Sequence, residues 1–120
     1  MLDHVGLKVT DLAESLLFYR SALAPLGYGV IFQDPTTAGL ALKGGGSLWL
    51  YGASNASNVH IAFAAPDRTA VEGFHAAAVA AGARDNGGPG PRPDYGETYF
   101  AAFVVDPDGN NIEAVCHAPG

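Results

Sequence analysis

Two short stretches of alternating character anchor the pattern of apolar and polar positions. In Asp3-His4-Val5-Gly6-Leu7-Lys8-Val9, the residues Val5, Leu7 and Val9 share one strand face and His4, Gly6 and Lys8 the other. Val59 to Ala65 repeats the arrangement: Ile61, Phe63 and Ala65 lie on one side, and His60 sits with the small residues Ala62 and Ala64 on the reverse. After the first strand, Asp11 precedes a segment in which Leu12, Leu16, Tyr19 and Leu23 recur at helical spacing, and Glu14 stands where a capping box closes. Pro25 and Gly27 end it. Strands are predicted at Tyr28 to Phe32, Gly39 to Leu42 and Ser47 to Tyr51, with turns at 34–37 and 44–46, which gives the order βαβββ.

The small polar run 54–58 reads as a linker, and the order then repeats. Asp67 caps a second helix carrying Val71, Phe74 and Ala78, closed by Gly82. A short strand ends near Arg84 and Asp85, and the glycine- and proline-rich residues 87–93 read as an irregular loop. Strands over Tyr99 to Val105 and Asn111 to Cys116 flank a tight turn at 106–110. His4 and His60, Leu7 and Phe63, Asp11 and Asp67, and Phe18 and Phe74 are each 56 positions apart, a register that indicates duplication of one supersecondary unit. The expected fold is α+β: two tandem βαβββ modules, about 1–53 and 59–120, forming a curved mixed sheet around a central cup within a single domain, 1–120. Helices are expected to cover the outer faces.

Composition narrows the functional classes. A length of 120 residues with 48% hydrophobic residues suits one packed domain. A net charge of −6, with the six basic residues dispersed, disfavours nucleic acid and anionic membrane as partners. The single cysteine, Cys116, excludes an internal disulfide and fits a reducing, cytoplasmic setting. No apolar run approaches the roughly 20 residues of a membrane span. Serine-triad spacing, a P-loop, a dinucleotide fingerprint and zinc-finger cysteine pairs are absent from the sequence.

Chemistry-bearing residues concentrate on the faces opposite the apolar ones. In the last strand Ile112, Ala114 and Cys116 share the apolar side, which turns Glu113 to the other. There it needs a partner, such as a neighbouring hydroxyl, Lys8 or an ion. His4, His60 and Glu113 thus fall on three strands of one expected cup. Two neutral imidazoles and a carboxylate form a ligand set for a divalent ion (Fe, Mn, Ni, Co or Zn) with positions left open for a substrate. Trp49 and Tyr51 share the phase of the cup face, where they serve either as a pocket wall or as ordinary core packing. Arg92, Tyr95 and Tyr99 flank the long loop, which is either a plain surface loop or a lid whose rim binds a carboxylate or an aromatic group. His75 and His117 read as structural or exposed, and Cys116 as an inert core thiol.

Together, the Asp3-His4-Val5-Gly6-Leu7 strand, the Asp-capped helix with Phe18-Tyr19, the Val59-His60-Ile61 strand and the ending Asp106-Pro107-Asp108-Gly109-Asn110-Asn111-Ile112-Glu113 resemble the vicinal oxygen chelate superfamily. That group includes glyoxalase I, bleomycin-resistance proteins, fosfomycin-resistance enzymes, methylmalonyl-CoA epimerase and extradiol dioxygenases. The resemblance covers nearly the whole chain. It implies paired βαβββ modules, a homodimer, and metal ligands at His4, His60 and Glu113. It also implies a small substrate chelated through adjacent oxygens, with lyase, isomerase or oxygenase chemistry. The alternative within the same superfamily is metal-free binding of an aromatic or cationic drug-like molecule, as in bleomycin-resistance proteins.

Members differ from this chain at particular positions. Glyoxalase I places a fourth, acidic ligand where Trp49 stands. The extradiol signature has a tyrosine at the place of Phe103 and a histidine upstream, where 89–103 has none. Fosfomycin-resistance enzymes carry basic residues after the glutamate, and 114–120 has none. No residue is singled out as a general base.

Overall fold

In the computed structural model, which describes residues 2–119, the chain runs β1 (His4–Val9), α1 (Leu12–Leu23), β2 (Tyr28–Gln33), β3 (Thr37–Leu42), β4 (Ser47–Gly52), β5 (His60–Ala64), α2 (Arg68–Ala80), β6 (Arg84–Pro91), β7 (Phe100–Val105) and β8 (Asn111–Cys116). A 3₁₀ turn, Ala24–Leu26, extends α1. The strands form two four-stranded mixed sheets, ordered β1-β4-β3-β2 and β5-β8-β7-β6. In each, the first strand of the module runs parallel to the last and the remaining pairings are antiparallel. This is a duplicated βαβββ architecture.

Local chemistry explains the helix starts. The Asp11 carboxylate accepts the Glu14 backbone N–H at 3.0 Å, and Asp67 accepts that of Ala70 at 2.8 Å; each satisfies one of the N–H groups a helix leaves open at its start. The apolar stripes then meet the sheets. Leu16, Tyr19 and Leu23 pack with Leu7, Val9, Leu40, Leu48 and Leu50, while Val71, Phe74 and Ala78 pack with Val104, Ile112 and Ala114 in the same continuous core. The helices also touch each other, so the modules join along their helical sides and each sheet keeps its other face open.

A buried polar latch reinforces the join. The hydroxyl of Tyr19, fully buried on α1, donates to Asp106 Oδ2 at 2.5 Å. Asp106 also accepts the backbone N–H groups of Asp108 and Asn110 and the Asn110 amide. Beside it, Thr10 donates its backbone N–H and its hydroxyl to Asp108, and Asn110 accepts the N–H of Val59. The turn at 106–110 therefore clasps the first module and the entry to β5 at once.

One element departs from expectation. The short strand expected to end near Arg84 and Asp85 instead begins at Arg84, and residues 87–91, read as loop, belong to it as far as Pro91. The strand lies at the sheet edge and pairs only with β7, so prolines without an N–H are tolerated. The departure from regularity survives as two register shifts, one on each side of Gly87. Gly87 has φ +145°, and a Cβ there would stand 3.2 Å from the Phe103 ring and 3.3 Å from the Arg92 guanidinium. Only glycine suits both constraints.

Candidate functional site

The open face of the second sheet carries a polar cluster. Glu113, in the middle of β8, is 2% exposed although it lies on the face away from the helices. Burial of a carboxylate costs several kcal/mol unless hydrogen bonds replace water. Both of its oxygens are engaged. His60 Nε2, at the start of the adjacent β5, lies 2.9 Å from Oε1, and the Tyr99 hydroxyl donates to Oε2. Lys8 plays no part among these bonds.

Parallel pairing explains why His60 and Glu113 meet. Ala62 lies opposite Glu113 in register, and its small side chain leaves the face clear for the imidazole two residues earlier. The imidazole remains half exposed, so the cluster is reachable from solvent. Phe103, opposite Glu113 on β7, forms the next wall, tilted against His60 with ring centres 6.3 Å apart. Arg92 stacks over the same ring at 5.4 Å, its guanidinium donating to the carbonyls of Gly88, Gly90 and Pro91. Tyr99 is held edge-on between Tyr95 and His117, with ring centres at 5.3 and 5.2 Å. Its phenol is pushed up to about 12, first by burial and then by the Glu113 carboxylate, so it remains a hydrogen-bond donor at neutral pH.

On the first sheet the face is aromatic instead. Gly6 pairs with Trp49 as Ala62 pairs with Glu113, so the indole occupies the position equivalent to the buried carboxylate. Gly39 is the counterpart of Phe103, and a Cβ there would come within 2.8 to 2.9 Å of three indole atoms; the ring lies flat on that glycine. The indole N–H donates to Ser47 Oγ at 3.0 Å, which fixes its orientation. Phe32 is tilted against it at 5.9 Å, and Tyr51 covers Gly6 further along the same strand. Phe32 and Tyr51 are both more than 40% exposed, so this wall faces outward from the single chain.

His4 begins the first sheet, and its Nδ1 bonds the adjacent Asp3 at 2.8 Å. Of the three expected ligands, the single chain brings together His60 and Glu113 and leaves His4 apart. Among the described residues no three histidine, cysteine, aspartate or glutamate side chains gather as a metal site would require. The pair that does meet suits an ion chemically: an imidazole and a monodentate carboxylate each about 2.1 Å from a metal, in neighbouring coordination positions, stand about 3 Å apart. A separate cavity of about 450 Å³ opens where β1 and β5 approach, lined by His4, Val5, Tyr28, Leu48, Ile61 and Phe63 among others. It is mainly apolar and does not include Glu113.

Sequence reasoning placed Tyr99 only on a rim and gave Phe103 and His117 no role at the site. The phase of Phe103 was readable, since it alternates with Ala102 and Val104 of the core. Nothing in the sequence announced that His117 would stack on Tyr99.

The chain thus has a duplicated βαβββ fold with a histidine–carboxylate pair on an open sheet face. The sequence model of the Glyoxalase/Bleomycin resistance protein/Dioxygenase superfamily matches residues 1–114, and the chain belongs to that superfamily. No curated protein matches the chain. Among solved structures, a glyoxalase/bleomycin resistance protein from Albidiferax ferrireducens T118 is similar at 28% identity with a TM-score of 0.82, covering 97% of this chain and 98% of that one. A glyoxalase-related enzyme from Fulvimarina pelagi (23% identity, TM-score 0.72, 97% and 87% covered) and a lactoylglutathione lyase from Agrobacterium tumefaciens (18%, 0.73, 97% and 92%) share the fold.

Proposed function

We propose that the chain is a divalent-metal-dependent enzyme acting on a small substrate that chelates the ion through vicinal oxygens, by lyase, isomerase or oxygenase chemistry. The observation that carries this reading is the buried Glu113 carboxylate with His60 Nε2 2.9 Å from Oε1, at a face open to solvent. His60 and Glu113 would hold the ion (Fe, Mn, Ni, Co or Zn), and His4 would complete the set. Because His4 stands apart within one chain, we assign the complete cup to a homodimer in which the first module of one protomer faces the second module of its partner. The bound ion would polarise the chelated oxygens of the substrate. The protein's own part is to orient that substrate between the aromatic wall of Trp49, Tyr51 and Phe32 and the polar pair His60 and Glu113 backed by the Phe103 ring, and to exclude water. Arg92, Tyr95 and Tyr99 form its rim. The free, buried thiol of Cys116 supports a cytoplasmic setting.

Elemental analysis of protein purified without chelators or a metal-affinity tag tests the reading, together with sedimentation. Near-stoichiometric metal in a dimer, lost in His60→Ala and in Glu113→Ala, is expected. Protein that stays empty after exposure to Fe, Mn, Ni, Co and Zn overturns it.

The flat, outward-facing indole of Trp49 favours a second reading, metal-free binding of a planar aromatic molecule. Trp49 is the sole tryptophan, so saturable quenching of its fluorescence by such a molecule in metal-free protein would support that reading.

A further inference from the structure

The metal reading gives Tyr99 no more than a place on the rim. Tyr99 is fixed far more closely than a rim residue requires. Its backbone is tied at both ends of the loop that precedes β7: the Tyr99 carbonyl accepts the Arg92 N–H at 2.7 Å, and its own N–H donates to Gly96 at 3.3 Å. Its ring is clasped edge-on by Tyr95 on one side and His117 on the other, at interplanar angles of 69° and 86°. What this arrangement delivers is a single hydroxyl, aimed at Oε2 of a carboxylate that is 2% exposed. The other oxygen, Oε1, is the one that meets His60.

We propose that Tyr99 is a positioning residue: its hydroxyl caps Oε2 of Glu113, so that the carboxylate offers Oε1 alone, on the His60 side, to the ion. The proposal rests on the metal reading above and extends it to a residue that touches no metal. An uncapped carboxylate in a strand can rotate about its terminal bond and present either or both oxygens. One held by a directional phenol donor is limited to a single ligand atom in a fixed plane, and partners of this kind govern both affinity and geometry at metal sites. The first module has no equivalent device, because Trp49 replaces the carboxylate there and bonds Ser47 instead.

The test is titration of metal-free protein with Co(II), followed by visible absorption and by calorimetry, on the wild type, Tyr99→Phe and His75→Gln. The phenylalanine at 99 keeps the ring between Tyr95 and His117, so a cooperative thermal transition close to that of the wild type is expected. Its Co(II) affinity should fall about 10- to 100-fold, and the absorption bands should change in position or intensity. His75→Gln, which removes a histidine that bonds Asp85 on the far side of the second sheet from Glu113, should match the wild type in both. Equal affinity and an unchanged spectrum in Tyr99→Phe overturn the role of Tyr99 while leaving the metal reading in place. Failure of the wild type to take up Co(II) overturns both.

Discussion

Replacing Tyr19 with phenylalanine removes one oxygen from the deepest polar contact between the modules. The Tyr19 ring is fully buried, and its hydroxyl donates to Asp106, which is 5% exposed and also accepts three other hydrogen bonds. A hydrogen bond to a charged acceptor contributes about 1.5–3 kcal/mol net. Three donors remain on Asp106, so it is not stranded, and the apolar ring keeps its packing. The expected loss is therefore about 2 kcal/mol, which for a chain of this size lowers Tm by roughly 6–10 °C.

Asp106→Ala should cost more, about 3–5 kcal/mol, because it leaves the Tyr19 hydroxyl, two backbone N–H groups and the Asn110 amide without an acceptor. Urea unfolding at fixed protein concentration, read by Trp49 fluorescence from the first module and by far-UV circular dichroism from both, measures each value. In the double mutant the two losses should fall short of additivity by 1 kcal/mol or more. A loss under 0.5 kcal/mol in Tyr19→Phe, or strict additivity, would refute the idea that this contact couples the two modules energetically.

Two further outcomes follow from single features. Gly39→Ala should destabilise by about 1–3 kcal/mol and shift the emission of Trp49, since the new methyl would stand 2.8 to 2.9 Å from the indole; unchanged emission would mean the ring does not rest on that glycine. Alkaline titration should reveal Tyr19, whose phenol is held far above its ordinary range by burial first and then by Asp106. The unfolded chain releases that proton near pH 10 and the folded chain retains it, so the stability the group contributes is complete below pH 10. Above that, stability declines by about 1.4 kcal/mol per pH unit, and Tyr19→Phe should flatten the slope in pH-dependent urea unfolding.

Much of the architecture was legible in the chain because it depends on local periodicity. The alternation around His4 and His60, the caps at Asp11 and Asp67 and the offset of 56 residues each follow from backbone geometry acting over a few positions, and together they define paired βαβββ modules. They also put Glu113 on the face away from the core. The edge strand through Pro89 and Pro91 was not legible, because those prolines are acceptable only where no further strand pairs, and edge position is a property of the assembled sheet.

Side-chain partnership belonged to the tertiary structure alone. Parallel pairing of β5 with β8 set His60 beside Glu113, and the folding back of 92–99 brought Tyr99 onto its second oxygen; neither distance is encoded in spacing along the chain. His4 has the same strand phase as His60, yet helix-to-helix packing of the modules holds it away from them. Phase is fixed by the two-residue repeat of a strand, whereas proximity depends on how whole sheets are oriented by the cores they share. The sequence by itself therefore determined which side chains face away from the core, and only the three-dimensional packing decided which of them meet.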